Sequence, residues 1–313
     1  MDMKNVVISG GTGMIGVSLI RELLKTEIES IYVLCRENSE KLFRLPNDER
    51  IQVVTCNIDE LEILPEKIDR ICDVFYHFAW LGTGGARRNI LIDQQAENVK
   101  YTMDAIDAAH KLGCKKFIGA GSQAEFGLLD VDKIGPDDQC NPVQAYGIAK
   151  YAAGKLTMLK AEMLGMDCFW VRIFSIYGTL DRKNSLINTT IEKLLKGERP
   201  SFTLAQQKWD YLFESDAGAA FAAIGEKATG RKVYCLGYGQ SRLLQWYIET
   251  IRDTIDPDAQ LGIGDLPYPQ NAVMNLCADI SRLTEDTGWV PVVRYEEGIK
   301  RIIGSNILRS NVL

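Results

Sequence analysis

Val6-Val7-Ile8-Ser9-Gly10-Gly11-Thr12-Gly13-Met14-Ile15-Gly16 runs from strand-forming residues through a glycine-rich turn into a helical pattern that extends from Val17 to Leu24. Glycines at 10, 13 and 16 permit a tight turn, let backbone N–H groups approach a pyrophosphate, and let the helix pack closely on the strand. The helix N-terminus then attracts the phosphate charge. The spacing is G-x-x-G-x-x-G, not the G-x-G-x-x-G of the dinucleotide fingerprint. Its position directly after the first strand therefore carries the reading. Gly10, Thr12, Gly13, Met14, Ile15 and Gly16 are the candidate cofactor-binding residues of this turn.

Beyond it, short apolar runs alternate with longer helical patterns. Residues 4–9, 31–35, 51–56, 73–78, 115–120 and 167–173 read as strands. Alternation of this kind predicts an α/β protein with a doubly wound parallel sheet, whose ligands sit beyond the carboxyl ends of the strands. Two long helices are expected at about 88–112, closed by Gly113, and about 143–164, preceded by Pro142 and closed by Gly165. After about residue 175 the alternation gives way to mixed segments with turn signals. The expected division is a dinucleotide-binding domain over 1–174, receiving part of 206–235, and a smaller C-terminal substrate-binding lobe over 175–313.

Composition narrows the function classes. The chain has 313 residues, a 46% hydrophobic fraction and a net charge of −6, with no basic run, so neither nucleic acid nor another polyanion is expected as a partner. No window reaches the apolar length of a spanning helix, and the chain enters a strand almost at once, so neither a membrane segment nor a leader is expected. The eight cysteines (35, 56, 72, 114, 140, 168, 235 and 277) are scattered through apolar stretches without a Cys-x-x-Cys. They read as buried reduced thiols, which places the protein in the cytoplasm. With only His77 and His110, no metal site is expected, and His77 reads as a packed strand residue.

The chemistry centres on Asn141-Pro-Val-Gln-Ala-Tyr-Gly-Ile-Ala-Lys150, where Tyr146 and Lys150 stand four apart and project from one helix face. A phenol titrates near 10 in water. An ammonium held nearby favours the phenolate, so such a tyrosine can exchange protons near neutrality.

Taken together these motifs resemble the extended short-chain dehydrogenase/reductase family, in particular the NAD(P)-dependent epimerase/dehydratase group that acts on nucleotide sugars. The match spans nearly the whole chain. Gly10-Gly-Thr-Gly-Met-Ile-Gly is similar to the family's cofactor loop, Gly121-Ser-Gln-Ala-Glu-Phe-Gly127 to its serine-bearing strand end, and Tyr146 with Lys150 to its catalytic pair. Val171-Arg-Ile-Phe-Ser-Ile-Tyr-Gly178, Trp209-Asp-Tyr-Leu-Phe-Glu-Ser-Asp216 and Gly288-Trp-Val-Pro add to the match. The resemblance implies a Rossmann fold in which Ser122 hydrogen-bonds the reacting oxygen and Tyr146 passes it a proton. Lys150 would bind the nicotinamide ribose and lower the tyrosine pKa. Asn98 matches an asparagine beside the family's active site, with a helix-surface amide as the alternative. Ala79 matches an alanine packed against the cofactor, while Trp80 departs from the small residue usual there. A homodimer paired through the two long helices is also implied; the Ala149, Ala152, Ala153, Gly154 cluster would allow it, and packing on the sheet explains that cluster equally well.

Cofactor and reaction are read from departures. NAD-binding members carry an acid at the end of the second strand; here stand Cys35 and Arg36, and a guanidinium suits a 2′-phosphate, so NADP is favoured over NAD. Asn57-Ile58 matches the adenine-binding pair at the third strand. Sugar 4,6-dehydratases follow their serine or threonine with Asp-Glu, whereas this chain has Gln123-Ala124, so dehydration is not expected. Glu125, continued on a strand, would point to the opposite face. Reduction of a 4-keto nucleotide sugar is the favoured reading, and the Gly-Ser-Gln-Ala-Glu-Phe-Gly phrase is similar to the CDP-abequose-synthase-like 4-ketoreductases. A nucleotide-sugar 4-epimerase is the alternative within the family; a non-catalytic dinucleotide sensor or scaffold is the alternative outside it. Ser175 and Trp209 occupy the places where relatives hold the substrate diphosphate, with Lys208 a nearby cation that would compensate, and Trp80 and Asn98 are the further substrate-binding candidates. Trp209 either stacks on a base or sugar or fills the lobe interface.

Overall fold

The computed structural model describes residues 3–85, 87–270 and 272–310. Its strands are β1 (Asn5–Ser9), β2 (Ser30–Cys35), β3 (Ile51–Thr55), β4 (Val74–His77), β5 (Lys116–Ser122), β6 (Asp167–Ile173), β7 (Ser175–Tyr177), β8 (Lys208–Trp209), β9 (Tyr211–Phe213), β10 (Arg231–Leu236) and β11 (Arg242–Leu243). The helices are α1 (Met14–Leu23), α2 (Arg87–Ile90), α3 (Ile92–Lys111), α4 (Ala145–Leu164), α5 (Leu186–Leu195), α6 (Glu214–Lys227), α7 (Leu244–Ile255), α8 (Ser281–Thr287) and α9 (Tyr295–Ser310).

Seven strands form one parallel sheet in the order β10-β6-β5-β4-β1-β2-β3. Helices α1 and α6 cover one face and α3 and α4 the other, which is why β2 and β5 are buried along their whole length. The order reverses between β1 and β4, so the crevice beyond their carboxyl ends lies between Ser9 and His77. A separate apolar core joins α5, α7 and α9 through Ile187, Ile191, Tyr247, Ile248 and Ile299.

Three features differ from the sequence reading. The expected 88–112 helix is broken at Leu91, whose ψ of 68° leaves the helical region. An unbroken apolar run, Ile90-Leu91-Ile92, hides that break from periodicity. The departure lets α2 lean toward the start of α4, where Asn89 Nδ2 donates to Gln144 Oε1 at 2.9 Å. The strand–helix alternation, expected to give way near 175, resumes after β7, α5, β8 and β9: α6 packs beside α1 and β10 joins the edge of the main sheet, largely within the 206–235 stretch expected to contribute to this domain. Finally α4 begins at Ala145, because the Pro142-Val143 segment is not helical.

His77 ends β4 fully enclosed, with Nδ1 hydrogen-bonded to the Ser9 hydroxyl at 2.8 Å and Nε2 3.4 Å from Thr102 Oγ1. Burial, aided by the nearby Lys150, pushes its pKa down to about 3. The unfolded chain then takes up this proton near 6.5 while the folded chain does not, so the contribution to stability is complete above pH 6.5 and is lost as pH falls. Between pH 6.5 and 5 the loss approaches about 1.4 kcal/mol per pH unit. His77→Asn is expected to be destabilised at neutral pH yet to show a flatter loss through that window in denaturant titrations; parallel curves for the two proteins would contradict the assignment.

Candidate active site

The glycine turn is locked against its neighbours by backbone proximity. Gly10 adopts φ +75°, and a Cβ there would lie 2.7 Å from Ala79 N. A Cβ at Gly16 would come within 2.6 Å of Gly10 O, so strand, turn and α1 interlock only without side chains at these two places. Gly13 provides no side-chain cap for the first turn of α1, where Met14 and Ile15 stand, and uncapped N–H groups at a helix start suit an anion. Ala79 N lies 3.4 Å from Ser9 Oγ, tying the end of β4 to the turn. Arg36 and Asn57 share a cavity of about 470 Å³ with Glu37, Asn38, Glu40 and Lys41. Asn57 forms a reciprocal capping box with Glu60 ahead of Ile58, which engages the side chain expected to meet adenine.

One cation missed by the sequence reading lies at this turn. Arg44 Nη1 reaches Thr12 O at 3.5 Å, and its buried Nε has no hydrogen-bond partner. Only the packing of the Leu42–Arg44 turn brings it there, which no local pattern announces.

At the next strand end, Ser122, Tyr146 and Lys150 converge. The Ser122 hydroxyl accepts from Ala124 N at 3.2 Å and lies on the Tyr146 side of the turn, near enough to favour the phenolate. Lys150 is buried and donates to Ala120 O at 2.6 Å. Burial pushes its pKa down to about 7, opposed by the charge of Glu125. Burial raises the Tyr146 pKa as well, while the Ser122 hydroxyl and the Arg88 charge oppose that rise. The expected direct lowering by Lys150 is thus not the arrangement found. Its amine stands 6.0 Å from the phenol ring centroid and burial works against its charged form, whereas the Arg88 guanidinium lies 5.5 Å over the same ring.

Glu125 corrects a second expectation. Strand β5 stops at Ser122, and Gln123–Glu125 makes one 3-10 turn, which carries Glu125 into the core rather than to the opposite face of a strand. There one oxygen accepts from Ser122 N at 2.8 Å and Trp170 Nε1 at 2.9 Å, and the other from Arg172 Nε at 2.9 Å. The Trp170 indole fills a slot made by three glycines. Added Cβ atoms at Gly119 and Gly121 of β5 and at Gly154 of α4 would each fall 2.5 to 2.6 Å from it. This ring sets the separation between the strand that carries Ser122 and the helix that carries Tyr146 and Lys150. Closer to the site, a Cβ at Gly147 would lie 2.3 Å from Ala124 O, so α4 rests directly on the serine turn.

The residues expected to face substrate divide into two groups. Trp80 stands edge-on to Tyr146, with ring centroids 6.2 Å apart. Asn98 is neither a surface amide nor a free side chain: fully buried, it accepts from Leu81 N at 2.8 Å and donates to Leu81 O at 3.0 Å, pinning the segment after Trp80. Ser175 and Trp209 pair with each other, Trp209 Nε1 donating to Ser175 Oγ at 2.8 Å, beside the exposed Lys208. Among the described residues there is no cluster of metal-ligating side chains and no helix long and apolar enough to cross a membrane.

Gly154→Ala is expected to destabilise the fold by about 1–3 kcal/mol through overpacking against Trp170, despite alanine's better helix propensity, and to reduce any turnover that depends on the Ser122–Tyr146 geometry. Adding Trp170→Phe should recover part of the stability in a double-mutant cycle. Strict additivity of the two substitutions would show that the slot is not what resists the methyl group.

The family defined as NAD dependent epimerase/dehydratase matches residues 6–237. A curated Escherichia coli protein named dTDP-4-dehydro-6-deoxyglucose reductase is 27% identical, over 96% of this chain and 97% of its own. CDP-abequose synthase of Salmonella muenchen is 24% identical, over 96% and 97%. Among solved structures, UDP-N-acetylglucosamine 4-epimerase from Methanobrevibacter ruminantium M1, in complex with UDP-N-acetylmuramic acid, superposes with a TM-score of 0.88 at 22% identity, over 99% of this chain and 100% of its own. Together with the parallel sheet, the interlocked glycine turn and the Ser122, Tyr146, Lys150 cluster, the match over most of the chain shows that this protein belongs to the NAD dependent epimerase/dehydratase family.

Proposed function

We propose that the protein reduces a 4-keto nucleotide sugar with NADPH. The observation that carries this reading is the gathering of Ser122 at the end of β5 with Tyr146 and, one helical turn further along α4, Lys150, which donates to Ala120 O of the same strand, next to a turn shaped for a dinucleotide. The glycine cradle, filled by any Cβ, and the uncapped start of α1 fit the cofactor's diphosphate. Bound there, a reduced nicotinamide supplies hydride to the keto carbon. The chain's own part is to manage the oxygen: Ser122 donates to it, Tyr146 gives it the phenolic proton as charge develops, and Lys150 orients the ribose and helps re-establish the proton. Gln123 and Ala124 offer no acid/base pair for eliminating water, and Glu125 is committed to Arg172 and Trp170. The relatives named as a reductase and as CDP-abequose synthase lend the reductase reading its support over epimerisation. Ser175, Lys208 and Trp209 are proposed to meet the nucleotide end of the substrate, on a C-terminal lobe distinct from the dinucleotide-binding part.

NADP is favoured by position and charge. Cys35 is buried and burial raises its thiol pKa, so it offers no anionic acceptor to ribose hydroxyls, while Arg36 and Lys41 line the cavity beyond β2 and Arg44 lies beside Thr12 of the glycine turn. A homodimer is proposed through α4, on which Ile148, Leu156, Leu159 and Met163 lie on one face and are 50%, 44%, 60% and 86% exposed. The small residues of that helix serve another purpose, since Ala149, Ala153 and Gly154 are buried within the chain. Leu159→Glu is expected to yield monomers by light scattering, and an unchanged mass would refute this face as the contact. A cytoplasmic site of action accords with the eight free thiols.

The direct test is absorbance loss at the nicotinamide band with NADPH and a panel of 4-keto nucleotide sugars. Stoichiometric oxidation is expected; interconversion of sugars without net oxidation would instead identify a 4-epimerase, and binding without turnover a sensor. Tyr146→Phe should lower kcat by about 10²–10⁴ while leaving the NADPH dissociation constant nearly unchanged, so undiminished turnover would remove the phenol from the mechanism. Arg44→Leu should cut the NADPH-over-NADH preference in kcat/KM by about 10–100-fold, the worth of a charge-assisted hydrogen bond. An equal loss with both cofactors would assign Arg44 to the shared diphosphate.

A further inference from the structure

Trp80 stands where the family pattern has a small residue, and the structure fixes its indole from two sides. Nε1 donates to Gln95 Oε1 at 2.8 Å, and Gln95 is itself buried and donates to Gly82 O at 3.3 Å. Asn98 holds the adjoining Leu81 through both its N–H and its carbonyl. So held, the indole presents its face to Lys150, with Nζ 3.6 Å from the ring centroid. That is well inside the range of a cation–π contact. A buried ammonium has lost its water and needs compensation, and among the described residues its one hydrogen bond goes to Ala120 O.

We propose that Trp80 is a positioning residue that keeps Lys150 cationic inside a dry site, its π face standing in for the hydration and the counter-ion that burial removes. Among the described residues no other ring comes as close to Lys150. From β6, the Trp170 ring is 5.9 Å away, and from α4 the Tyr146 ring is 6.0 Å away. Glu125, on the turn after β5, favours the ammonium through space, but its carboxylate is bound to Arg172. His77, from β4, is held neutral by burial, and Arg88 is a further cation, 5.5 Å over the Tyr146 ring. For turnover the inference rests on the roles proposed for Lys150 and Tyr146; for the titration of Lys150 it does not.

The experiment is therefore a pH titration of the Lys150 side chain in the full chain by NMR of ¹³Cε-labelled lysine, with Lys150→Arg used to identify the resonance. Trp80→Leu, which retains bulk without a π face, is expected to lower the Lys150 midpoint by about one unit, and Trp80→Phe by less than half of that. A midpoint that stays in place in Trp80→Leu, or rises as water enters, would overturn the proposal. Should Trp80→Leu fail to fold, fluorinated tryptophans drain π density at constant shape. They should lower the midpoint stepwise in the natural chain and not in Trp80→Phe, and a flat response in the natural chain would equally overturn it. A shifted midpoint in a protein that oxidises NADPH with none of the 4-keto sugars would leave this inference standing and remove the functional one. Turnover with an unshifted midpoint would do the reverse.

Discussion

Glu125 lies wholly inside the molecule, its two oxygens shared among the Ser122 N–H, the Trp170 indole and the Arg172 guanidinium. An ion pair so deeply placed loses several kcal/mol of hydration per charge and persists only when further hydrogen bonds satisfy both members. Here Glu125 accepts three bonds, and Arg172 also donates to Pro136 O at 3.0 Å and lies 4.6 Å over the Phe126 ring. Removing one partner would leave the other charge buried and alone, a loss of about 3–5 kcal/mol. The same contacts end β5 at Ser122 and give the serine its orientation, so the stability of this network and the geometry of the site are one property.

The second constraint is electrostatic. Most ionisable groups of the cluster are held away from their charged forms by burial: Lys150 toward about 7, His77 to about 3, and Tyr146 upward. A site of this kind does not stabilise charge until charge develops on a substrate, which is where preorganised donors act most strongly. Trp80 and Glu125 both work against the desolvation of Lys150, one through its π face and the other through its field. The dry surroundings that weaken the lysine also strengthen every hydrogen bond made there.

Much of this was legible in the sequence because it is local. The strand–turn–helix at 5–23, the Tyr146–Lys150 spacing and the Gly165 cap each depend on neighbours within a few residues, and the structure contains each of them. What escaped is non-local. Glu125 meets Trp170 and Arg172 across 45 and 47 residues, so nothing in Gln123-Ala-Glu-Phe reveals that the chain turns inward. Separation in sequence likewise hides the partnership of Gly119, Gly121 and Gly154 around one indole, Arg44 beside Thr12, and Asn98 beside Leu81. The break at Leu91 escaped for the opposite reason, since a continuous apolar run satisfies a helical pattern whether or not the backbone follows it.

The central claim, that Ser122 and Tyr146 serve hydride reduction of a 4-keto nucleotide sugar, is tested most directly by following the label from 4-deuterated NADPH. The account predicts deuterium bonded to C4 of the product sugar. A product that forms without the label at that carbon, or a label that never leaves the cofactor while the sugar is converted, would contradict it.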